Sequence, residues 1–186
     1  MNIGNLKLYA FFSLALIFIS LSSATDAPKQ TVIYIVRHAE KDLSDPANKD
    51  PDLSSIGKER VEALSKLLKK ESISAVFSTK YKRTTQTAAP IAQRNGIPVK
   101  TYSDANKAFA DLVKTEFLNK KTLIAGHSNT VLELLRSFGL KPPVDQLTEE
   151  DYDLLFTVTI SKSGEPELKM QRYGKAHHKT IIPDLK

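Results

Sequence analysis

The segment Thr31-Val-Ile-Tyr-Ile-Val-Arg-His-Ala-Glu40 contains the clearest signal for the fold. Residues 31–36 are β-branched or apolar apart from one tyrosine, which is typical of a strand covered on both faces. Charged and polar residues follow at once, beginning with Arg37 and His38. The stretch therefore predicts a central strand whose carboxyl end carries groups capable of chemistry.

The rest of the chain alternates short apolar runs with segments of helical periodicity. Further strands are predicted over residues 75–77, 97–101, 122–125, 154–161 and 167–173. A helix of about 14 residues is predicted after Ser54 or Ser55, and other helices are predicted over residues 83–94, 105–117 and 130–138. Such alternation favours an α/β three-layer sandwich, with a mostly parallel central sheet and helices on both faces. The last two strands should form an antiparallel hairpin across Ser163-Gly164. Pro90 should end or kink its helix.

The N-terminal segment differs from the rest in composition. Lys7 precedes an apolar run over residues 8–21, and Ser22-Ser23-Ala24 offers small residues for cleavage. We interpret residues 1–24 as a signal peptide and expect an exported, periplasmic or secreted protein. An uncleaved anchor is the alternative, but the run is shorter than the roughly 20 residues of a spanning helix, so no stable membrane span is expected after cleavage. Residues 25–186 would then form one domain, with residues 25–30 and 176–186 flexible.

Composition restricts the classes of function. The 186 residues contain no cysteine, which excludes disulfides and a thiol nucleophile. A net charge of +6 is compatible with nucleic acid, an anionic surface or an anionic substrate. Lysine and arginine are spread along the chain without interleaved aromatics, so we do not predict nucleic-acid binding. His177-His178 lies among lysines without other ligands nearby, and we interpret it as a solvated tail with no metal.

Three segments should bring polar side chains to one edge of the sheet. Arg37 and His38 follow the first strand, residues 78–83 follow the second, and residues 126–129 follow a later one. Ligands of open α/β sheets bind beyond the carboxyl ends of the strands. Two guanidinium groups suit a phosphate dianion, and a neutral imidazole between them keeps a lone pair for attack on phosphorus. By this logic alone either of the two histidines would serve.

These residues resemble the histidine phosphatase superfamily, also called phosphoglycerate mutase-like. Residues 35–40 are similar to its first motif, usually Arg-His-Gly, with Ala39 in place of glycine. The likeness continues in order through residues 52–57, 77–88 and 125–128 and covers about residues 31–140. It implies that His38 is the phosphorylated nucleophile, that Arg37 and Arg83 clamp the phosphate, and that His127 donates to a phosphoryl oxygen. It implies no metal or other cofactor.

The acid that protonates the leaving oxygen is less clearly marked. The family often places a carboxylate after the third strand, and Asp104 is the nearest match. Glu40, two residues from His38, is the rival. Ser78, Ser128 and Asn129 are either additional phosphate contacts or ordinary helix caps.

The sequence supports three functions. The first is a phosphatase that hydrolyses phosphomonoesters through phosphohistidine, acting on a small phosphorylated substrate or a phosphorylated surface molecule. The second is a mutase-like phosphoryl transferase, which the short segment after Arg83 disfavours because it leaves little room for the family's lid insertions. The third is a non-catalytic binder of phosphorylated ligands. The substrate and the oligomeric state stay open.

Overall fold

The computed structural model describes residues 30–183 and Leu185; the predicted signal peptide lies outside the described residues. The strands are β1 (Thr31–Arg37), β2 (Ile73–Ser78), β3 (Val99–Thr101), β4 (Lys121–Gly126), β5 (Leu154–Ile160) and β6 (Pro166–Arg172). The helices are α1 (Ser55–Leu67), α2 (Lys82–Arg94), α3 (Lys107–Glu116) and α4 (Ser128–Ser137). None of these helices is long and apolar enough to cross a bilayer.

The six strands form one sheet in the order β3-β2-β4-β1-β5-β6. The four strands β3, β2, β4 and β1 run parallel, and β1 pairs antiparallel with β5, which pairs antiparallel with β6. The predicted mostly parallel sheet with a terminal antiparallel hairpin is therefore confirmed. The carboxyl ends of the parallel strands meet at one edge, as the alternation of elements requires.

Alternate residues of β1 pack against different helices, because side chains of a strand point to opposite faces. Ile33 and Ile35 belong to a core with α3 and α4. Tyr34 and Val36 belong to a second core with α1 and α2. The predicted three layers are confirmed, and β1 is covered on both faces.

Of the two expectations from sequence, that Pro90 would end or would kink its helix, the first is wrong: Pro90 lies inside α2. Helix α2 continues to Arg94 and is closed at Asn95. Proline removes one hydrogen bond of the helix. Ile91 and Ala92, immediately after it, are buried against the sheet, and this packing holds the helix through the proline.

Gly57 allows the start of α1 to touch the segment that follows His38. Ser54 caps the helix by accepting a hydrogen bond from the Gly57 amide at 3.1 Å, and the Ser54 amide donates to the Glu40 carbonyl at 2.9 Å. A Cβ atom on Gly57 would lie 2.2 Å from the Glu40 carbonyl oxygen. Only glycine permits this approach, so the predicted motif over residues 52–57 has a packing reason.

The C-terminal segment packs back on the sheet edge. His177 Nδ1 lies 2.7 Å from Glu40 Oε1, and His178 Nδ1 lies 2.6 Å from Asp153 Oδ2. The Tyr152 amide donates to the His177 carbonyl at 3.0 Å. The interpretation of the two histidines as a solvated tail was therefore wrong: each is hydrogen-bonded to a buried carboxylate.

Candidate active site

A cavity of about 320 Å³ opens at the carboxyl edge of the parallel strands. It is lined by Arg37, His38, Lys41, Tyr81, Arg83, His127, Ser128, Asn129 and Glu149. These residues come from the end of β1, the start of α2, the start of α4 and the segment before β5. All four residues that the sequence singled out most strongly, the two arginines and two histidines, lie in this one cavity.

His38 is held as a neutral ring with a defined tautomer. The side chain is buried, and its Nδ1 lies 2.8 Å from the Ala39 carbonyl oxygen. A carbonyl oxygen only accepts, so Nδ1 carries the proton and Nε2 keeps its lone pair. The His38 amide donates to the Gly126 carbonyl at 2.8 Å, which fixes the backbone beside β4.

The alanine that replaces the family's usual glycine has a place in the packing. Ala39 is fully buried and forms a small apolar cluster with Leu53 and Val61. Its amide donates to Thr87 Oγ1 of α2 at 2.9 Å. The added methyl group therefore fills space between α1 and the loop without entering the cavity.

Both histidines of the cavity resist protonation. Burial lowers the pKa of His38 to about 3, and the charges of Arg37, His127 and Arg83 act in the same direction, against the hydrogen bond to Ala39. The pKa of His127 is lowered to about 4, mainly by burial and to a smaller extent by the positive charges of Arg83 and Arg37. Near neutral pH both rings are therefore uncharged, so His38 is free to act as a nucleophile.

Arg37 is almost completely buried and is oriented from one side. Its Nη1 donates to the carbonyl oxygens of Thr148 at 2.7 Å and Asp151 at 3.3 Å, and its Nη2 donates to Glu149 Oε2 at 3.0 Å. The guanidinium carbon lies 4.1 Å from the centre of the Tyr152 ring. These contacts fix the plane of the guanidinium group, as a phosphate clamp requires.

Arg83 faces the cavity from the first turn of α2. Its guanidinium carbon lies 4.4 Å from the centre of the Tyr81 ring, and its Nη1 lies 3.7 Å from Asp50 Oδ1. The Nε atoms of Arg83 and Arg37 are buried donors without an acceptor among residues 30–183 and Leu185. Both guanidinium groups therefore keep donor capacity for an anion.

His127 caps α4 and is held by a threonine that the sequence analysis did not single out. Its Nε2 lies 2.9 Å from Thr79 Oγ1, and its amide donates to Thr130 Oγ1 at 2.6 Å. A Cβ atom on Gly126 would lie 2.6 Å from that same hydroxyl oxygen. Glycine at this position therefore leaves space for the Thr130 hydroxyl, which accepts the hydrogen bond from the His127 amide and fixes the backbone there.

Three of the predicted site residues do not face the cavity. Asp104 lines a different cavity and accepts a hydrogen bond from Ser103. Glu40 is buried, with its carboxylate bound by Arg60 and His177. Ser78 is buried and bonded to the Thr79 carbonyl and the Thr85 hydroxyl. Both expected acids are therefore misplaced for proton transfer, whereas the predicted contacts at the start of α4 do line the cavity.

Residues that the sequence analysis missed come from two sources. Lys41 and Tyr81 line the cavity and lie close in sequence to the motifs. Nothing in the sequence distinguished them from ordinary surface residues. Glu149 lies 112 positions from Arg37, to which it is hydrogen-bonded. Its signal was topological: β5 runs antiparallel to β1, so the residues before β5 reach the edge where β1 ends.

The buried guanidinium group of Arg37 and the partly buried one of Arg83, around a neutral histidine, define a site for a tetrahedral oxyanion such as a phosphoryl group. No group of three His, Cys, Asp or Glu residues able to hold a metal ion is found in the described part of the chain. Residues 33–106 match the family model of the histidine phosphatase superfamily, branch 1. This match covers less than half of the chain, and over these residues the sequence is similar to that superfamily. No curated protein matches the sequence significantly.

Solved structures share the fold at low identity. The protein histidine phosphatase SixA complexed with tungstate is 17% identical with a TM-score of 0.60, over 74% of this chain and 94% of that chain. A mycobacterial glucosyl-3-phosphoglycerate phosphatase is 13% identical with a TM-score of 0.59, over 79% of this chain and 100% of that chain. A phosphoserine phosphatase from Entamoeba histolytica is 13% identical with a TM-score of 0.56, over 75% and 95%. At these identities the likeness shows the fold.

Proposed function

We propose that this chain is a phosphatase that hydrolyses phosphomonoesters through a phosphohistidine intermediate on His38. The observation that carries the proposal is the hydrogen bond from His38 Nδ1 to the Ala39 carbonyl inside a cavity that contains Arg37 and Arg83. That bond leaves Nε2 as the unprotonated nitrogen. The arginines supply the charge that a phosphoryl group needs.

In the proposed reaction Nε2 of His38 attacks phosphorus as the ester bond to the leaving oxygen breaks. Arg37 and Arg83 stabilise the charge on the equatorial oxygens, and His127 donates to one of them. The neutral state of His127 suits this role, because a neutral imidazole still has one N–H group. Water then attacks the phosphohistidine, and inorganic phosphate leaves the cavity.

A phosphate-release assay with the mature protein tests this proposal. The protein is incubated with a panel of phosphomonoesters, and we expect release of inorganic phosphate that persists in the presence of a chelator. A His38→Ala variant should lose the activity. Undiminished activity in that variant would refute the mechanism, and loss with chelator would refute metal independence.

The intermediate separates the proposed phosphatase from the other two functions. Rapid quenching with a labelled substrate should trap phosphate on His38, in a form that is stable in alkali and labile in acid. A mutase would need a bisphosphorylated primer and release little phosphate. A non-catalytic binder would retain ligand affinity in His38→Ala while the wild type turns nothing over.

Export remains part of the proposal. The apolar run over residues 8–21 and the small residues that follow it support a cleaved signal peptide. An exported phosphatase would act on a small phosphorylated compound or a phosphorylated surface molecule. N-terminal sequencing of the protein from the periplasm or culture medium tests this, with a mature chain that begins near Thr25 as the expected result.

A further inference from the structure

The cavity of about 320 Å³ that contains His38, Arg37 and Arg83 is called the phosphate cavity below. Glu149 is the only aspartate or glutamate among the described residues that line it. Its Oε2 lies 3.0 Å from Arg37 Nη2 and 4.0 Å from Lys41 Nζ. The side chain is 72% exposed, so it is free to turn within the cavity. The carboxylate therefore occupies a position beside cations that would otherwise face a phosphate.

The backbone around Glu149 is fixed even though its side chain is exposed. The buried carboxylate of Asp151 accepts hydrogen bonds from the Thr148 amide at 2.6 Å, the Lys179 amide at 3.0 Å and the Thr180 amide at 2.8 Å. Carbonyl oxygens of the same turn hold Arg37 Nη1. One rigid turn thus orients the guanidinium group and carries Glu149 beside it.

Glu149 stands between two cavities. A second cavity of about 340 Å³ shares Ser128, Asn129 and Glu149 with the phosphate cavity and continues past Arg136 and Asp145. A substrate with its phosphate beside His38 has room for its alcohol portion in this second cavity. Its ester oxygen would then lie at the border, beside Glu149.

Binding of a phosphate changes the surroundings of Glu149. The phosphate oxygens compete for Arg37 Nη2, and the displaced carboxylate then faces an anion instead of a cation. This places the Glu149 carboxyl group beside the bound phosphate.

We propose that Glu149 is the general acid that protonates the leaving oxygen, a role that rests on the proposed phosphatase function. As the bond from Nε2 of His38 to phosphorus forms and the ester P–O bond breaks, the electron pair of that bond goes to the leaving oxygen, which takes the proton of Glu149. The carboxylate so formed then accepts a proton from the water that attacks phosphohistidine. The final products are an alcohol, inorganic phosphate and Glu149 ready for a new cycle.

Leaving groups of different basicity test this assignment. Phenyl phosphate and glycerol phosphate need a proton on the departing oxygen, whereas 2,4-dinitrophenyl phosphate does not. In Glu149→Gln we expect kcat/KM for the first two to fall by about 10²–10⁴, the usual contribution of a general acid. Single-turnover release of dinitrophenolate should change by no more than a few-fold.

Glu150→Gln is the matched control, because Glu150 pairs with Lys179 and does not line the phosphate cavity. It should behave as the wild type toward all three substrates. An equal loss for every leaving group in Glu149→Gln would overturn the proposal, since it would indicate a role in binding or folding. Unchanged or increased activity with tighter tungstate binding would also overturn it, in favour of a carboxylate that merely blocks the site.

This experiment is separable from the test of the nucleophile. His38→Ala should lose activity toward dinitrophenyl phosphate as well as phenyl phosphate, because both reactions need attack on phosphorus. If His38→Ala behaves so and Glu149→Gln shows no dependence on the leaving group, only the acid assignment fails. If His38→Ala keeps full activity toward dinitrophenyl phosphate, the proposed function itself fails.

Discussion

Replacement of Glu40 by glutamine perturbs a buried ion pair that lies two residues from the proposed nucleophile. Glu40 and Arg60 are 6% and 2% exposed. Arg60 Nε donates to both carboxylate oxygens at 2.9 Å, and its Nη2 donates to Oε1 at 2.7 Å. Arg60 also binds the carbonyl oxygens of Tyr173 and Lys175, so the pair joins α1 to the C-terminal segment.

The expected loss of stability depends on the groups that each variant leaves unpaired. Glu40→Gln leaves the Arg60 charge buried without a counter-ion, and removal of one partner from a buried pair costs about 3–5 kcal/mol. For a domain of this size that lowers Tm by roughly 6–20 °C. Arg60→Met should cost a similar amount. The double variant leaves no buried charge without a partner. Its loss in free energy of unfolding should therefore be no larger than that of the less stable single variant.

Urea unfolding followed by far-UV circular dichroism measures these values, since the chain has no tryptophan to report on unfolding. The exposed pair of Lys107 and Asp111 is a matched control: its side chains are 78% and 48% exposed. Asp111→Asn should leave the unfolding midpoint unchanged, because solvent screens exposed pairs. Comparison of the two pairs isolates the effect of burial.

Two results would contradict a structural role for the Glu40–Arg60 pair. Additive single effects, with a coupling free energy below about 0.5 kcal/mol, would show that Glu40 and Arg60 do not act as a pair. Wild-type stability of Glu40→Gln combined with a selective loss toward poor leaving groups would show that Glu40 is the acid. In that case its contacts with Arg60 would have been misread as structural.

The pH dependence of stability provides a further check on the same residue. Burial by itself raises the pKa of Glu40, but hydrogen bonds from Arg60 and His177 outweigh it, and the net pKa lies below the ordinary value of 4.5. A carboxyl group with a lowered pKa in the folded state stabilises the fold above its unfolded pKa, and this stabilisation is lost as the pH falls through the folded value. The difference between wild type and Glu40→Gln should therefore shrink below pH 4.5.

Three other variants or conditions test the site and its support. Burial lowers the pKa of His38 to about 3. We therefore expect kcat/KM, corrected for ionisation of the substrate, to stay constant between pH 6.5 and about 5. A fall in kcat/KM with a midpoint near pH 6.5 would contradict this. Arg83→Met should weaken inhibition by tungstate about tenfold or more, since a charged hydrogen bond is lost, while Arg94→Met at the other end of α2 should not. Gly57→Ala places a Cβ atom 2.2 Å from the Glu40 carbonyl and should destabilise the fold by about 1–3 kcal/mol in urea unfolding; an unchanged midpoint would show that the helix shifts freely.

The fold was predictable because its determinants are local and periodic. Apolar runs marked the sheet, and the predicted helix over 83–94 differs from α2 by one residue. The expected end or kink at Pro90 came from propensity, which describes an isolated helix, whereas α2 continues past Pro90 because Ile91 is buried on the sheet. The cavity residues were found because each stands at the end of a strand or within a few residues after it, at the same edge of the sheet: Arg37, His38, Arg83 and His127.

Glu149, the missed residue farthest in sequence from the motifs, belongs to the antiparallel side of the sheet. The rule that ligands lie beyond the carboxyl ends of parallel strands considers only the residues after each strand. Where a strand is antiparallel, the same edge receives the residues before it: Leu155 pairs with Val36, so the turn that carries Glu149 lies beyond the end of β1. Residues after β6 return to this edge too, because Arg172 pairs with Leu154. A predicted terminal hairpin therefore brings two further segments to this edge, and one of them, before β5, contributes Glu149 to the cavity.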